Sequence, residues 1–211
     1  MNIYIFEGID GAGKSTAIMA VEKFLKDKRV LRLKEPDGFF HHILAKAAAT
    51  NNVSPMDEYI TFWLNRFDLW MNKILPEVDS LDVVIIIDRS FASTFAYQIE
   101  GRGLLEYEKS FFFWKKQLIS LLDRKNVQIH HIYLRVSVEI GLSRVGVRIP
   151  NQNDLTQFER RDNLQRVKAG FDLFYGPGYK DSFSPIEHIH IIDASKTQEE
   201  VIAQIRAEIA L

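Results

Sequence analysis

The chain of 211 residues contains no cysteine. Disulfides, thiolate metal sites and cysteine nucleophiles are therefore excluded. Excess charge is also lacking: 27 Lys and Arg against 28 Asp and Glu leave a formal net charge of −1. A general nucleic-acid binder carries a strong basic excess, so no nucleic-acid partner is expected. A small anion needs only a few local arginines and stays open as a ligand. No apolar run approaches the ~20 residues that span a bilayer; Val83 to Ile87 and Phe111 to Trp114 are the longest candidates. The start Met-Asn-Ile-Tyr-Ile-Phe-Glu has no basic residue, long apolar stretch or small-residue cleavage site. The expectation is a cytoplasmic protein without a signal peptide or membrane contact. Internal repeats, low-complexity tracts and composition shifts are absent too, which favours one domain over 1–211.

Periodicity supplies the elements that are present. Ile3 to Phe6, Val30 to Leu33, Val83 to Ile87, Ile129 to Leu134 and Ile189 to Ile192 predict strands. Val83 to Ile87 has five branched residues and no alternation, which suits a parallel strand covered on both faces. Lys14 to Lys28 predicts a helix, with Ile18, Val21, Phe24 and Leu25 on one face. Further helices are expected over Phe40 to Ala49, from Ser54 to about Leu75, Phe91 to Gln98, Leu104 to Leu122, Val138 to Arg144, Phe158 to Tyr175 and Thr197 to Ala210. Gly146 to Thr156 is polar, poorly periodic and carries a proline, and reads as a loop. Strands alternating with helices imply right-handed crossovers. The predicted fold is an α/β three-layer sandwich: a five-stranded, mainly parallel sheet with helices on both faces and a short lid over about 144–158.

Gly8-Ile-Asp-Gly-Ala-Gly-Lys14-Ser15-Thr16 matches the phosphate-binding pattern G-x-x-x-x-G-K-[ST]. The glycines Gly8, Gly11 and Gly13 let the backbone turn tightly, so that its N–H groups, with those of Ala12 and Thr16, point at phosphate oxygens. The following helix offers its positive end to the same anion. Lys14 is placed to neutralise β and γ oxygens of ATP, and the Ser15 hydroxyl to ligate Mg2+. Asp88 and Arg89 follow the strongest strand, at the sheet edge where open α/β sheets bind ligands. Asp88 suits the same metal ion, and Arg89 a second phosphate.

Several motifs in order then resemble the thymidylate kinase family. They are Phe6 to Thr16, Glu35-Pro36, Phe62-x-x-Asn-Arg66, Asp88-Arg89-x-x-x-Ser93-Thr-x-Ala96-Tyr97-Gln98, Arg166-Val-Lys-Ala-Gly170-Phe and Ile192-Asp-Ala-Ser195. The resemblance covers nearly the whole chain. It implies a P-loop NTPase fold, transfer of the γ-phosphoryl of ATP to thymidine 5′-monophosphate (dTMP) to give dTDP, and a homodimer. By the same resemblance Asp10 contacts the acceptor sugar and helps position its phosphate. Phe62 stacks on the base, Arg66 and Arg89 hold the monophosphate, and Ser93 and Tyr97 lie at base and sugar, with Glu35, Pro36 and Gln98 in the same acceptor site. Phe62 and Arg66 are four apart and so share a helical face. Position 12 is alanine, so the family's extra arginine on the transferring phosphoryl falls to the lid, to Arg144 and Arg148 as in the bacterial type.

The chain also departs from the family. The usual Glu-Pro-Gly-Gly-Thr reads Glu35-Pro-Asp37-Gly-Phe39, and the arginine expected after it is missing, with Lys46 the nearest basic residue. Ser90 stands where tyrosine or histidine is usual. The lid offers only partial matches around Asp154 and Phe158-Glu159. This points to a divergent member, and a broader deoxynucleoside monophosphate kinase stays open. So does a deoxynucleoside kinase, whose hydroxyl acceptor would need a base, with Glu35 the candidate. A regulatory nucleotide-binding ATPase would have no acceptor at all. His188 and His190 alternate on one strand face, too few ligands for a metal site. Trp63 and Trp70, one heptad apart, with Phe111 to Trp114, suit either core or subunit packing.

Overall fold

The apolar run after Met1 becomes the central strand of the sheet. The computed structural model describes residues 1–38, 40–44, 53–80, 82–123, 126–148 and 161–209, without the side chains of 147 and 148. The strands are β1 (Asn2–Glu7), β2 (Arg29–Lys34), β3 (Val83–Asp88), β4 (Gln128–Arg135) and β5 (Glu187–Asp193). They pair in the order β2-β3-β1-β4-β5, every pair parallel. The five predicted strands all form, each extended by one to three residues.

The helices are α1 (Lys14–Phe24), α2 (Pro55–Leu69), α3 (Phe91–Thr94), α4 (Glu108–Ser120), α5 (Val138–Arg148), α6 (Arg161–Phe174) and α7 (Gln198–Glu208). Residues 40–44 are helical as well. Alternation along the strands sorts the two faces. His190 of β5 meets Glu208 of α7, and α7 contacts α1, so these helices cover one face. Tyr133 of β4 stacks on Phe171 of α6, which covers the other face with α3. Consecutive residues at the end of a strand therefore address opposite sides, which later separates Asp88 from Arg89.

Local sequence explains the boundaries. Ser54 caps α2, its Oγ accepting from Asp57 N at 3.1 Å, with Pro55 at the first position. Thr197 and Glu200 form a reciprocal capping box on α7. Two expected helices change pitch. After α2 the chain widens into π-type turns over Trp70–Ile74 and tightens over Leu75–Glu77, where Pro76 ends it. After α3 it widens again over Phe95–Glu100. Gly170 of α6 presses on that wide segment: a Cβ there would lie 2.8 Å from Ala96 Cα. Wide turns of this kind concentrate at functional sites, and this one carries Tyr97 and Gln98.

Two expectations are corrected and one open alternative is decided. α1 ends at Phe24, which is exposed under the Arg206 guanidinium, while Ile18 and Val21 are buried. α5 continues through Arg148, so residues 146–148 are helical where a loop was expected. Of the two readings left open for Trp63 and Trp70, core packing holds: both are buried within the chain, in ring contact with Phe91. The helix expected beyond Leu44, Phe39, Lys46 and the lid from 149 through Phe158-Glu159 lie outside the described residues.

Candidate functional site

β1 hands the chain to the loop from Gly8 to Gly13, and α1 begins with no side-chain cap. Its first N–H groups are thus available to an anion. Lys14 lies back over the loop, Nζ donating to the carbonyls of Gly8 at 2.9 Å and Ile9 at 3.0 Å. Burial, and next the charge of Arg89, pulls its ammonium down to about 8. A bound phosphate would reverse that shift, because opposite charge favours the protonated form.

The loop is fixed from outside by a backbone contact. Gly11 has φ +81°, and a Cβ there would lie 2.2 Å from the Gly141 carbonyl oxygen. A Cβ at Gly141 would lie 2.9 Å from the Asp10 carbonyl oxygen. α5 thus abuts the loop where neither partner has room for a side chain. Beside this contact runs a groove of about 200 Å³ bounded by Ala12, Gly13, Thr16, Arg144, Lys196 and Val201. Arg144 donates from NH1 to the carbonyls of Ala194 at 2.9 Å and Gly11 at 3.4 Å. It therefore lies along the groove, held by loop and β5 edge. The side chain of Arg148 is outside the described residues.

Ser15 is exposed at the mouth of the loop. Asp88 is mostly buried, and its Oδ1 has no hydrogen-bond partner among the described residues. A buried carboxylate oxygen without a partner is costly unless something occupies it. The pair offers a hydroxyl and a carboxylate, the donor set that a hard divalent cation takes.

A second cavity of about 440 Å³ adjoins the loop, and all nine acceptor residues expected from the sequence line it. Two arginines organise it differently. Arg89 is the one non-glycine with positive φ among the described residues, at +70°. Its NH2 meets Asp10 Oδ1 at 2.5 Å, and NH1 donates to Gly8 O and Ser93 Oγ at 3.3 Å and to Tyr97 OH at 3.4 Å. Tyr97 OH donates to Asp10 Oδ2 at 3.1 Å. Asp10 thus belongs to the phosphate loop and to the cavity at once.

Arg66 is fully buried between the rings of Trp63 and Phe91, 4.9 Å and 4.8 Å from their centroids. It pairs with the buried Glu35 through Nε and NH2, and NH2 donates to Thr94 Oγ1 at 2.8 Å. NH1 has no partner among the described residues. Both arginines are thus ion-paired, but Arg66 is fully buried with one donor group unspent, whereas Arg89 is partly exposed and faces the loop. Phe62 is half-buried on the cavity wall.

The family model for thymidylate kinase matches residues 6–205. The chain belongs to the thymidylate kinase family. It is 39% identical over 216 residues to thymidylate kinase of Chlorobium limicola, covering 95% of this chain and 93% of that protein. It is 30% identical over 207 residues to the Carboxydothermus hydrogenoformans thymidylate kinase, covering 95% and 92%. With the Chlorobaculum tepidum thymidylate kinase it shares 40% identity over 106 residues; that match spans about half of each, 47% of this chain and 48% of the relative. The parallel sheet and phosphate loop are those of the P-loop fold that the family resemblance implied.

Against the thymidylate kinase pattern, sequence reading missed Gly141, Lys196, Val201, Glu58 and Thr94. Lys196 and Val201 join the groove because β5 pairs with β4, which in turn pairs with β1, a long-range arrangement that no local signal carries. Glu58 and Thr94 line the cavity. Glu58 sits one turn before Phe62, a spacing that points to the same wall.

Proposed function

We propose that this chain transfers the γ-phosphoryl group of ATP to dTMP, giving dTDP and ADP, as a single kinase domain. The observation that carries the reading is Asp10. It lies in the triphosphate loop, yet Arg89 and Tyr97 bind it from the wall of the neighbouring cavity. A donor site and a pocket of nucleotide size, sharing one residue, suit transfer between two bound nucleotides.

In this reading an acceptor phosphate oxygen attacks the γ-phosphorus in line. The new P–O bond forms as the bond to the β,γ-bridging oxygen breaks, and ADP leaves with the electron pair. The attacking oxygen is already anionic, so positioning and charge stabilisation suffice. Lys14 spans the β and γ oxygens, and Arg89 exchanges its contact with Asp10 for the acceptor phosphate. Phe62 stacks on the base. Arg66, with its charge neutralised by Glu35, presents NH1 to a neutral carbonyl oxygen of the base in place of the phosphate that sequence alone assigned to it. Arg144 holds the donor nucleoside along the groove, and contact with the transferring phosphoryl is left to Arg148. Ser15 and Asp88 would hold Mg2+, which supplies charge neutralisation between the β- and γ-phosphates when bound.

A deoxynucleoside kinase is disfavoured because its base would be Glu35. Both oxygens of Glu35 are engaged by Arg66 and Ser90. A face of α2 and its continuation supports a homodimer: Ile60, Leu64 and Met71 are exposed, and Phe67 leads across to the exposed Trp114 and Phe113. No described helix is long and apolar enough to cross a membrane.

The test is a panel of deoxynucleoside monophosphates and thymidine with ATP. dTMP should be the preferred acceptor, and turnover of thymidine alone would overturn the reading. Phe62→Ala should raise the KM for dTMP by about tenfold, the scale of a lost base stack, and leave ATP affinity unchanged.

A further inference from the structure

Glu7 ends β1 and is fully buried on the face covered by α3 and α6. No step of the proposed transfer uses it. Its carboxylate nevertheless takes three hydrogen bonds from the segment that builds the acceptor wall. Oε1 accepts from Ser90 N at 2.8 Å and Ser93 N at 3.2 Å, and Oε2 from Ser93 Oγ at 2.5 Å. Ser90 immediately precedes α3 and Ser93 lies in its single turn, so the carboxylate ties down the start of that segment.

The residue between β3 and this anchored turn is Arg89, at φ +70°. A bulky side chain is strained there and stays only when its surroundings impose it. Arg89 N donates to Phe6 O at 3.0 Å, the residue before Glu7. The end of β1 thus grips the turn on both sides of the arginine: backbone carbonyl to Arg89, carboxylate to Ser90 and Ser93. The strained conformation is what delivers the guanidinium to Gly8, Asp10 and Tyr97. Ser93 is shared, since it donates to Glu7 and accepts from Arg89 NH1.

We infer that Glu7 is a positioning residue for the acceptor: by anchoring the turn of Ser90 and Ser93 it holds Arg89 in its left-handed conformation and aims it at the acceptor phosphate. This rests on the reading of the cavity as a monophosphate site. A purely structural carboxylate would, when altered, lower stability and affect both substrates alike. A positioning carboxylate acts chiefly on the acceptor, because its hydrogen bonds go to Ser90 and Ser93 and it reaches Lys14 only as the weakest of the charges around that ammonium.

The experiment compares the full-length enzyme with Glu7→Gln, which keeps shape and one acceptor oxygen, and Glu7→Asp, which keeps the charge but withdraws it. Initial rates give kcat and KM for dTMP, and ATP binding is titrated separately. Glu7→Gln should raise the KM for dTMP by about tenfold, with kcat changed by less than about threefold, the pattern of lost ground-state binding. ATP affinity should stay within about twofold, and Glu7→Asp should recover part of the acceptor KM. Equal losses for ATP and dTMP, or an unchanged acceptor KM in a folded Glu7→Gln enzyme, would overturn the inference. If Glu7→Gln does not fold, Glu7→Asp alone decides it: an acceptor KM equal to that of the unaltered enzyme refutes the role. Absence of turnover with every monophosphate in the unaltered enzyme would instead defeat the proposed function.

Discussion

Lys14 makes triphosphate affinity depend on pH in a defined window. Its ammonium is pulled from 10.5 to about 8 by burial and by Arg89. Bound phosphate should return it toward 10.5, since the new negative charge favours the protonated form. Below about pH 8 Lys14 is charged with or without ligand, and affinity should be flat. Above pH 8 the free enzyme loses the proton and the complex keeps it, so binding takes up a proton. The dissociation constant should then rise toward tenfold per pH unit, about fifteenfold between pH 8 and 9.5, or ~1.6 kcal/mol. Calorimetric titration with ATP, in two buffers of different ionisation enthalpy, measures affinity and proton uptake together. Without ligand the sign reverses. The folded value lies below the unfolded one, so the cost of burying the charge is complete below about pH 8 and fades as pH rises toward 10.5. A constant affinity from pH 7 to 9.5, with no proton uptake, would refute this account of Lys14.

Three further outcomes follow from the packing. Gly141→Ala forces a Cβ to 2.9 Å from the Asp10 carbonyl, and should weaken ATP binding by about tenfold with a loss of ~1–3 kcal/mol; Gly146→Ala, with nothing within 4 Å, is the neutral control, read by ATP titration and thermal melting. Arg66→Met and Glu35→Gln should each cost ~3–5 kcal/mol in urea denaturation, because each strands a buried partner, and the double variant should cost far less than their sum. Leu64→Glu, placed on the exposed face of α2, should convert a dimer to a monomer by light scattering, and an unchanged mass would move the interface elsewhere.

The phosphate loop was legible because its chemistry is local: Gly8 to Thr16 is one unbroken stretch whose spacing states its own mechanism. The five strands were legible for a similar reason, as apolar runs with sharp ends. Element ends were less so. Phe24 has the spacing of a buried residue, but only the Arg206 side chain of α7 lies over it, and only the packing reveals that. The wide turns over Phe95–Glu100 pack closely against Gly170, a residue distant in sequence whose missing side chain allows the approach.

The charges divide most sharply. Sequence identified Arg66 and Arg89 alike as arginines of an acceptor site, since residue type and motif are all it carries. The tertiary structure made them different, neutralising one with Glu35 inside an aromatic sandwich and straining the other across Asp10. What an arginine can do depends on which of its donors are already spent and what surrounds its charge. Those partners come from segments that meet only when the sheet has formed. The sequence alone determined the class of chemistry and the residues that carry it; the fold decided which of them face the donor, which face the acceptor and which hold the others in place.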